Sequence, residues 1–331
     1  MKSIKKIAKK TGIVLAAILV TFSFLMLLPR IWSALNPAKP PVGYHFVGPT
    51  YLAIMVGLED MINKDPDIPA EIEDIKDIEY KNADGKSLQM DFYRPKGLTE
   101  AAPLLVFIHG GGWKGGKRSD YLVYLVEFAK KGYITATVSY RLLKDKPYPA
   151  SAEDIVDAFD WLAVHGDSFG YDPERIGVVG GSAGAHLAML AAYGWQKSGA
   201  SDTTHKPGAP GIKAVVNIYG PVDMTTEYAR NHSLVTNYLA HSYEDAPQIY
   251  WEASPLRYVD RNDPPTLILH GTSDDLVPVR QADLLKARLD SLGVPCVYYR
   301  MPLWPHTMDL VQRVNDYFQV KMSEFFAEYL H

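Results

Sequence analysis

The stretch RIGVVGGSAGAHLAMLAAY, Arg175–Tyr193, decides the fold. It predicts a short apolar strand, a tight glycine turn that carries Ser182, and an alanine-rich helix. Its centre, Gly180–Gly184, has the pattern G-x-S-x-G, which holds a serine on a sharp strand-to-helix turn. Such a turn crowds its neighbours, and glycines two positions before and after the serine remove the Cβ atoms that would collide. Taken alone, the pattern is also compatible with a turn that serves packing only.

The elements on either side of this turn alternate between strands and helices. Strands are predicted at Ile78–Tyr80, Leu88–Tyr93, Leu104–His109, Ile134–Ser139, Ile176–Val179, Lys213–Tyr219, Thr266–His270 and Cys296–Met301. Helices are predicted at Asp120–Lys131, Ala152–His165, Ser182–Tyr193, Val279–Leu292 and Val311–Tyr329. The first two strands flank a turn signal and form a predicted hairpin. The alternation predicts an α/β domain with a mostly parallel sheet and right-handed crossovers.

Two longer segments interrupt this alternation. Gln196–Gly211, rich in Gly, Ser, Thr and Pro, is predicted to be a surface loop, and Pro221–Asp260 is predicted to be a cap-like insertion with helical pieces. We therefore divide the chain into an N-terminal segment at 1–35, a linker with a possible cap helix at 36–77, and a catalytic domain at 78–331.

Composition excludes several classes of protein. The 331 residues are 47% hydrophobic, enough for one large core, and the formal net charge is −4. Without the six basic residues of positions 1–30, the remaining 28 Lys and Arg face 38 Asp and Glu, a net charge of −10. A nucleic-acid partner is therefore not expected. Cys296 is the single cysteine, so an intramolecular disulfide is excluded, and its apolar surroundings favour a buried, inert thiol.

The N-terminus is basic and then apolar. Five lysines lie in residues 1–10, and the 17 residues from Gly12 to Leu28 carry no charge. As a helix this run spans about 26 Å, enough for a thin bilayer core. A cleaved signal peptide is one interpretation, but the run is long for one, no clean cleavage site follows it, and Trp32 suits a membrane interface. We favour an uncleaved anchor with its lysines in the cytoplasm; either interpretation puts the rest of the chain on the extracytoplasmic side.

Asn36–Pro49 contains four prolines and is predicted to be a linker. Thr50–Asn63 has apolar residues at near-helical spacing and predicts an amphipathic helix. Such a helix is suited to covering an active-site mouth, to lying on a membrane, or to ordinary packing.

A glycine-rich loop follows an early core strand. In His109-Gly110-Gly111-Gly112-Trp113, consecutive glycines let backbone N–H groups approach a substrate oxygen with no side chain between them. Gly111 and Gly112 are candidate oxyanion donors, with the N–H of Ala183 as the third. The loop lacks the spacing of phosphate-binding motifs. His109 is expected to order the loop.

Two late loops supply an acid and a base. A serine hydroxyl needs a base to activate it, and the base needs an acid to orient it. The loop His270–Pro278 offers Asp274 and Asp275, and Asp223 is a more distant acid with the character of a turn residue. His306 follows the last apolar strand, one strand further along. The other histidines are scattered, so no zinc site or other metal site is expected.

These pieces together resemble the α/β-hydrolase carboxylesterases of the hormone-sensitive-lipase-like and BD-FAE-like group, from Ile78 to the C-terminus. The resemblance is carried by His109–Trp113, Ser139-Tyr140-Arg141, Tyr171–Ile176, Gly180–Gly184, His270–Pro278 and His306. In that family the acid stands four residues after the histidine of the H-G-x-x-D loop, which selects Asp274. The hormone-sensitive-lipase branch usually has an acid directly before the serine. Here Gly181 stands there and, with Ala185, is closer to BD-FAE-like, arylformamidase-like and acetyl-xylan-esterase-like relatives.

The resemblance implies a serine hydrolase with Ser182 as nucleophile, His306 as base and Asp274 as orienting acid, acting on short- to medium-chain esters without a cofactor. Trp113, Trp304 and parts of 221–260 are expected to wall the substrate pocket. Amide hydrolysis of the arylformamidase kind and a membrane-associated lipase remain alternatives. A binding protein on an inactive hydrolase fold is disfavoured, because the serine and the histidine are both present.

Overall fold

The computed structural model describes residues 2–195 and 208–330, with side chains from residue 10 onward. Most of the predicted loop Gln196–Gly211 lies outside the described residues. The strands are β1 Ile72–Ala83, β2 Lys86–Pro95, β3 Ala102–Ile108, β4 Ile134–Val138, β5 Tyr171–Gly181, β6 Ile212–Ile218, β7 Thr266–Gly271 and β8 Cys296–Met301. The helices are α1 Lys2–Leu35, α2 Val47–Met55, α3 Leu122–Lys130, α4 Ala150–Ala163, α5 Gly166–Phe169, α6 Ala183–Ala192, α7 Glu227–Asn231, α8 Ser233–Leu239, α9 Pro247–Glu252, α10 Arg280–Leu292 and α11 Gln312–Tyr329.

The described strands form one sheet in the order β1-β2-β4-β3-β5-β6-β7-β8. β1 and β2 form the predicted hairpin, and β2 is also antiparallel to β4. Every other neighbouring pair is parallel. The carboxyl ends of β3, β5, β6, β7 and β8 therefore meet at one edge of the sheet, where ligands bind in folds of this kind.

Apolar layers cover both faces of the sheet. One buried cluster contains side chains of α4, α6, α8 and α10, and the other contains side chains of α3 and α11. All ten residues of α6 are buried, so this helix behind the serine turn is itself part of the core. In α4, Ile155 and Phe159 are buried, whereas Val156 and Trp161 are only partly buried.

The serine turn has the predicted strained geometry. Ser182 has φ +55° and ψ −122°, a backbone conformation that residues other than glycine rarely adopt. A Cβ on Gly180 would lie 2.4 Å from the backbone N of Ala185, and a Cβ on Gly184 would lie 2.0 Å from the carbonyl oxygen of Ile108. Close approach of the backbone therefore requires glycine at both positions.

The predicted linker is not a free tether. The N–H groups of Gly43 and His45 donate to the carbonyls of Pro302 (2.7 Å) and Leu303 (2.8 Å). Trp304 donates through Nε1 to the carbonyl of Pro41 at 2.9 Å. Residues 36–46, which we call the strap, thus run along the segment that precedes His306.

The amphipathic helix begins and ends earlier than predicted. It spans Val47–Met55 rather than Thr50–Asn63, because Pro49 is tolerated in a first helical turn and Gly57, with φ +72°, follows the last turn. Beyond it, Met61 pairs with Val311 in an isolated antiparallel bridge.

The N-terminal segment is one helix. Lys10–Leu35, within α1, is long and apolar enough to cross a membrane, and almost none of its most apolar window is buried. It touches the rest of the chain near its end, where Met26 is buried and Ser33 accepts a hydrogen bond from Arg313 at 2.9 Å.

Replacement of Gly184 by alanine tests the packing at the turn. Because the new Cβ would overlap backbone atoms of the neighbouring strand, we expect Gly184→Ala to lower the free energy of unfolding by about 2 kcal/mol. Gly48→Ala is the matched control, since a Cβ there meets nothing within 4 Å, and it should leave stability unchanged or slightly raised. Urea unfolding of both variants measures the difference; equal stabilities would contradict the account.

Candidate active site

Three predicted residues meet at the carboxyl edge of the sheet. Ser182 follows β5, Asp274 follows β7 and His306 follows β8. Nε2 of His306 lies 3.0 Å from Oγ of Ser182, and Nδ1 lies 2.7 Å from Oδ2 of Asp274. Hydrogen bonds thus connect the three side chains in the order Asp274, His306, Ser182.

Asp274 is buried and well satisfied. Its Oδ1 accepts the N–H groups of Leu276 (3.0 Å) and Val277 (2.8 Å). Its Oδ2 lies 3.4 Å from Nε2 of His270 as well as facing His306. Burial raises the pKa of Asp274, but the hydrogen bonds from His270 and His306 outweigh burial and hold the pKa at about 2. Asp274 is therefore ionised at neutral pH.

The two competing acids are placed elsewhere. The side chain of Asp275 is exposed. Asp223 accepts the N–H of Thr225 at 2.9 Å, which is the local turn contact predicted for it. The structure thus distinguishes Asp274, which contacts His306, from the exposed Asp275. The residues alone had left the choice between these two acids open.

The ring of Tyr219 packs against the ring of His306. The two ring centroids are 4.4 Å apart. The Tyr219 hydroxyl donates to the buried carboxyl of Asp309, and burial raises the pKa of that carboxyl while the hydrogen bond lowers it. Neither residue was predicted from the sequence. A tyrosine directly after a buried strand was the available signal for Tyr219, but Asp309 offered none.

The glycine-rich loop lies against the serine turn. A Cβ on Gly110 would sit 2.7 Å from the carbonyl oxygen of Gly181, and Gly111 has φ +110°. Within the described part of the chain, the N–H groups of Gly111, Gly112 and Ala183 donate to no acceptor. They are therefore available to an oxygen atom near Ser182.

His109 orders this loop, as predicted. Its Nδ1 donates to the carbonyl of Gly110 at 2.9 Å, and its ring stacks on Tyr140 with centroids 4.4 Å apart. The Tyr140 hydroxyl donates to the carbonyl of His109 at 2.8 Å. Burial lowers the pKa of His109, so the ring is neutral at pH 7 and acts as a structural support.

A cavity of about 340 Å³ opens at Ser182. Its lining residues are Lys64, Gly110, Gly111, Gly112, Lys114, Asp120, Tyr121, Gly181, Ser182, Tyr219, Leu234, Leu276, His306, Thr307, Asp309 and Leu310. Leu234 comes from α8, so the 221–260 insertion contributes to the wall, as expected. The volume is at the small end of the range for ligand sites.

The two tryptophans predicted to wall the pocket do not line this cavity, and that prediction is wrong. Trp113 is buried, stacks on Tyr238 at 4.3 Å and donates through Nε1 to Nδ1 of His186 at 3.3 Å. Trp304 is fully buried beneath the strap. Each indole N–H needs a partner once the ring is buried, and each finds one away from the cavity.

Gly181 has a physical reason. A Cβ at this position would lie 1.9 Å from the Tyr121 hydroxyl, which occupies the space in front of the residue. An acidic side chain before the serine therefore does not fit beside Tyr121 in this chain. Gly181 and Tyr121 both line the cavity, so a glycine before the serine, with a tyrosine in the space in front of it, gives the site a different shape from one with an acid at that position.

Two other reactive side chains, His186 and Cys296, do not line this cavity. Nε2 of His186 donates to the carbonyl of Ala253 at 2.7 Å, and burial lowers the pKa of His186 to about 4. Burial raises the pKa of the half-buried Cys296 thiol to about 12. Among the described residues, no three His, Cys, Asp or Glu side chains are grouped to hold a metal ion.

The chain is similar in sequence to several known proteins. The model of the BD-FAE family matches residues 90–289. LipM of Mycobacterium tuberculosis, named a probable carboxylic ester hydrolase, is 31% identical over 74% of this chain and 59% of its own length. The esterase LipQ of the same organism is 32% identical over 70% of this chain and 56% of its own length. The chain thus spans less than two thirds of these relatives.

A solved structure shows the same fold. A thermophilic esterase of Thermogutta terrifontis, with butyrate bound, is 22% identical and has a TM-score of 0.67. The match covers 80% of this chain and 95% of the esterase. With the sheet order above, this likeness shows the α/β-hydrolase fold.

Removal of the Tyr219 hydroxyl tests the support beneath His306. Tyr219→Phe keeps the ring against His306 but leaves the buried Asp309 carboxyl without its donor, so we expect the free energy of unfolding to fall by about 2 kcal/mol. The matched control is Tyr317→Phe, because the buried Tyr317 hydroxyl has no partner among the described residues and its loss should cost little. Urea unfolding at pH 7 compares the two. An equal effect of both substitutions would show that the Asp309 contact is not stabilising.

Proposed function

Because the chain belongs to the BD-FAE family, we propose that it is a carboxylic ester hydrolase that acts through Ser182, His306 and Asp274. The observation that carries the proposal is the unbroken line of hydrogen bonds from Asp274 through His306 to Ser182, at 2.7 and 3.0 Å. The free N–H groups of the glycine loop and of Ala183 supply the other half of the chemistry.

In the first half-reaction, Oγ of Ser182 adds to the ester carbonyl carbon while Nε2 of His306 takes the hydroxyl proton. Ionised Asp274 accepts the Nδ1–H and stabilises the imidazolium that forms. The carbonyl oxygen becomes an oxyanion and accepts hydrogen bonds from the N–H groups of Gly111, Gly112 and Ala183. When this intermediate collapses, Nε2 returns the proton to the leaving alcohol, and the acyl group stays on Ser182.

In the second half-reaction, water adds to the acyl carbon and His306 takes one of its protons. Collapse of the second tetrahedral intermediate releases the carboxylic acid and returns the proton to Ser182. The step needs no cofactor, because water is the only co-reactant.

The cavity supports short- to medium-chain acyl groups. Its volume of about 340 Å³ is small, and Leu234, Leu276 and Leu310 give it an apolar wall. A long acyl chain would extend beyond the described walls. Apolar surface favours burial of the acyl methylene groups of the substrate.

The N-terminal helix supports a membrane-anchored enzyme. α1 has the length and apolar character of a membrane span, and its lysine-rich start favours a cytoplasmic N-terminus. The catalytic part then lies on the extracytoplasmic side.

Paired substitutions of neighbouring acids test the mechanism. Asp274→Asn should lower kcat for a nitrophenyl butyrate ester about 10⁴-fold, because the amide cannot hold His306 in the required tautomer. Asp275→Asn is the matched control and should leave kcat within about twofold of the parent, since that side chain faces solvent. Ser182→Ala should abolish turnover. Undiminished activity in Ser182→Ala would refute the proposal.

A substrate panel separates ester from amide hydrolysis. The parent protein is assayed with acetyl, butyryl and palmitoyl esters and with a formanilide. We expect the highest kcat/KM for acetyl or butyryl esters, because the cavity is small. Preference for the formanilide would favour arylformamidase action, and preference for palmitoyl esters would favour a lipase.

A further inference from the structure

We propose that α2 lies on the outer surface of the membrane that α1 crosses, with its exposed apolar face in the lipid and the active-site mouth beside it. The partner of this face is the bilayer itself. The inference rests on the proposed anchoring by α1 and goes further, because it fixes how the catalytic part sits on the membrane.

The first observation is the outer face of α2. Val47, Tyr51 and Met55 follow one another at four-residue spacing and are 40%, 63% and 82% exposed. Phe46 and Val56 extend the same apolar surface at its two ends and are 62% and 59% exposed. A continuous exposed apolar surface of this kind marks a binding surface in a folded protein.

The inner face of α2 is already used. Thr50 and Ala53 are buried, and Ile54 packs against the apolar cluster that contains Trp304. α2 is therefore an amphipathic helix fixed by one face to the catalytic part. Its other face has no contact with the described residues that would remove it from solvent.

The second observation is the depth of α2 along α1. Between Lys10 and Arg30, 19 residues carry no charge, and they span about 28 Å as a helix, close to the thickness of the bilayer core. Arg30 therefore marks the outer boundary of the span. Met26 lies one turn, about 6 Å, inside that boundary.

α2 packs against α1 at this level. Met26 forms a buried cluster with Tyr44 and Ala53, and Leu52 and Leu58 pack against it. A helix that touches Met26 lies at the edge of the lipid region, so its exposed face meets lipid rather than water. Amphipathic helices bind membranes in this way, with the apolar face below the headgroups.

Further contacts tie α1, the strap and the catalytic part together. Arg30 donates to the carbonyl of Leu58. Arg313 of α11 donates through Nε to both carboxylate oxygens of Glu59, at 2.9 and 2.8 Å, and the Tyr44 hydroxyl donates to Glu59 at 2.8 Å. Glu59 is buried, and its two hydrogen bonds from Arg313 fix the geometry of this charge pair. Because these contacts hold α2 and the catalytic part together, the orientation of α2 on the membrane also determines the orientation of the catalytic part.

The segment that follows α2 in the chain leads to the active-site mouth, the opening of the cavity at Ser182 near Lys64 and Leu310. The N–H of Ile62 donates to the carbonyl of Leu310 at 3.0 Å, and that of Gln312 donates to the carbonyl of Asp60 at 2.8 Å. Lys64 and Leu310 line the cavity at Ser182. The segment that follows α2 thus lines the cavity at Ser182, so an ester dissolved in the bilayer would enter the cavity beside α2.

Site-specific fluorescence tests the inference on the full chain in vesicles of phosphatidylcholine and phosphatidylglycerol. On a Cys296→Ser background, a nitrobenzoxadiazole label is attached through Met55→Cys, Ile18→Cys or Val164→Cys. Val164 is the matched control because it is 77% exposed and lies at the end of α4, on the other side of the sheet. Butyrate ester hydrolysis at the parent rate shows that each labelled protein is folded.

We expect nitroxide-bearing lipids to remove most of the fluorescence of the labels at 18 and 55, and iodide in solution to quench only the label at 164. Iodide quenching at 55 with lipid quenching at 18 would overturn the inference and leave the anchor intact. A label at 18 that lipid does not quench would overturn the anchor and the inference together. A label at 55 shielded from both quenchers would identify a second copy of the chain as the partner, which also overturns it.

Discussion

Two stretches of backbone meet without side chains between them, and the rest of the site depends on that contact. Gly184 lies where a Cβ would be 2.0 Å from the carbonyl of Ile108, and Gly110 lies where a Cβ would be 2.7 Å from the carbonyl of Gly181. The serine turn and the glycine loop are thereby held against each other. This approach places the free N–H groups of the loop beside Ser182, and any larger residue at either glycine would separate them.

A second constraint acts on the histidine. His306 has to reach both Ser182 and Asp274, and its loop is supported on two sides. Tyr219 packs against the ring, and the strap hydrogen-bonds to the segment 302–304 just before it. Residues between the N-terminal helix α1 and the sheet thus also support the loop that carries His306. Hydrogen bonds and packing thereby connect the N-terminal part of the chain to the site.

The parts that were predictable from the sequence are those with strong local signals. The strands, the serine turn and the glycine loop follow from apolar runs and glycine spacing, and the order of serine, acid and histidine places all three at one sheet edge. The choice of Asp274 over Asp275 came only from the family resemblance. Both residues are aspartates, and the sequence does not show in which direction each side chain of a loop points.

The parts that were not predictable depend on contacts between distant residues. The strap was interpreted as a linker because prolines prevent regular structure, yet its N–H groups pair with carbonyls about 260 positions away. Trp113 and Trp304 were assigned to the pocket by position, whereas their indole N–H groups are satisfied in the core. Tyr121 was not considered, although its hydroxyl explains Gly181. Periodicity and motif spacing contain no information about such pairings.

In the proposed mechanism, Ser182 is a nucleophile that His306 activates. Mass spectrometry of a proteolytic digest, after incubation of the full-length protein with a fluorophosphonate ester, tests it most directly. We expect a single phosphonyl adduct on the peptide that contains Ser182, formed in step with loss of esterase activity, and no adduct in His306→Ala over the same time. Loss of activity with the adduct on a different serine, or labelling of Ser182 at an unchanged rate in His306→Ala, would contradict it.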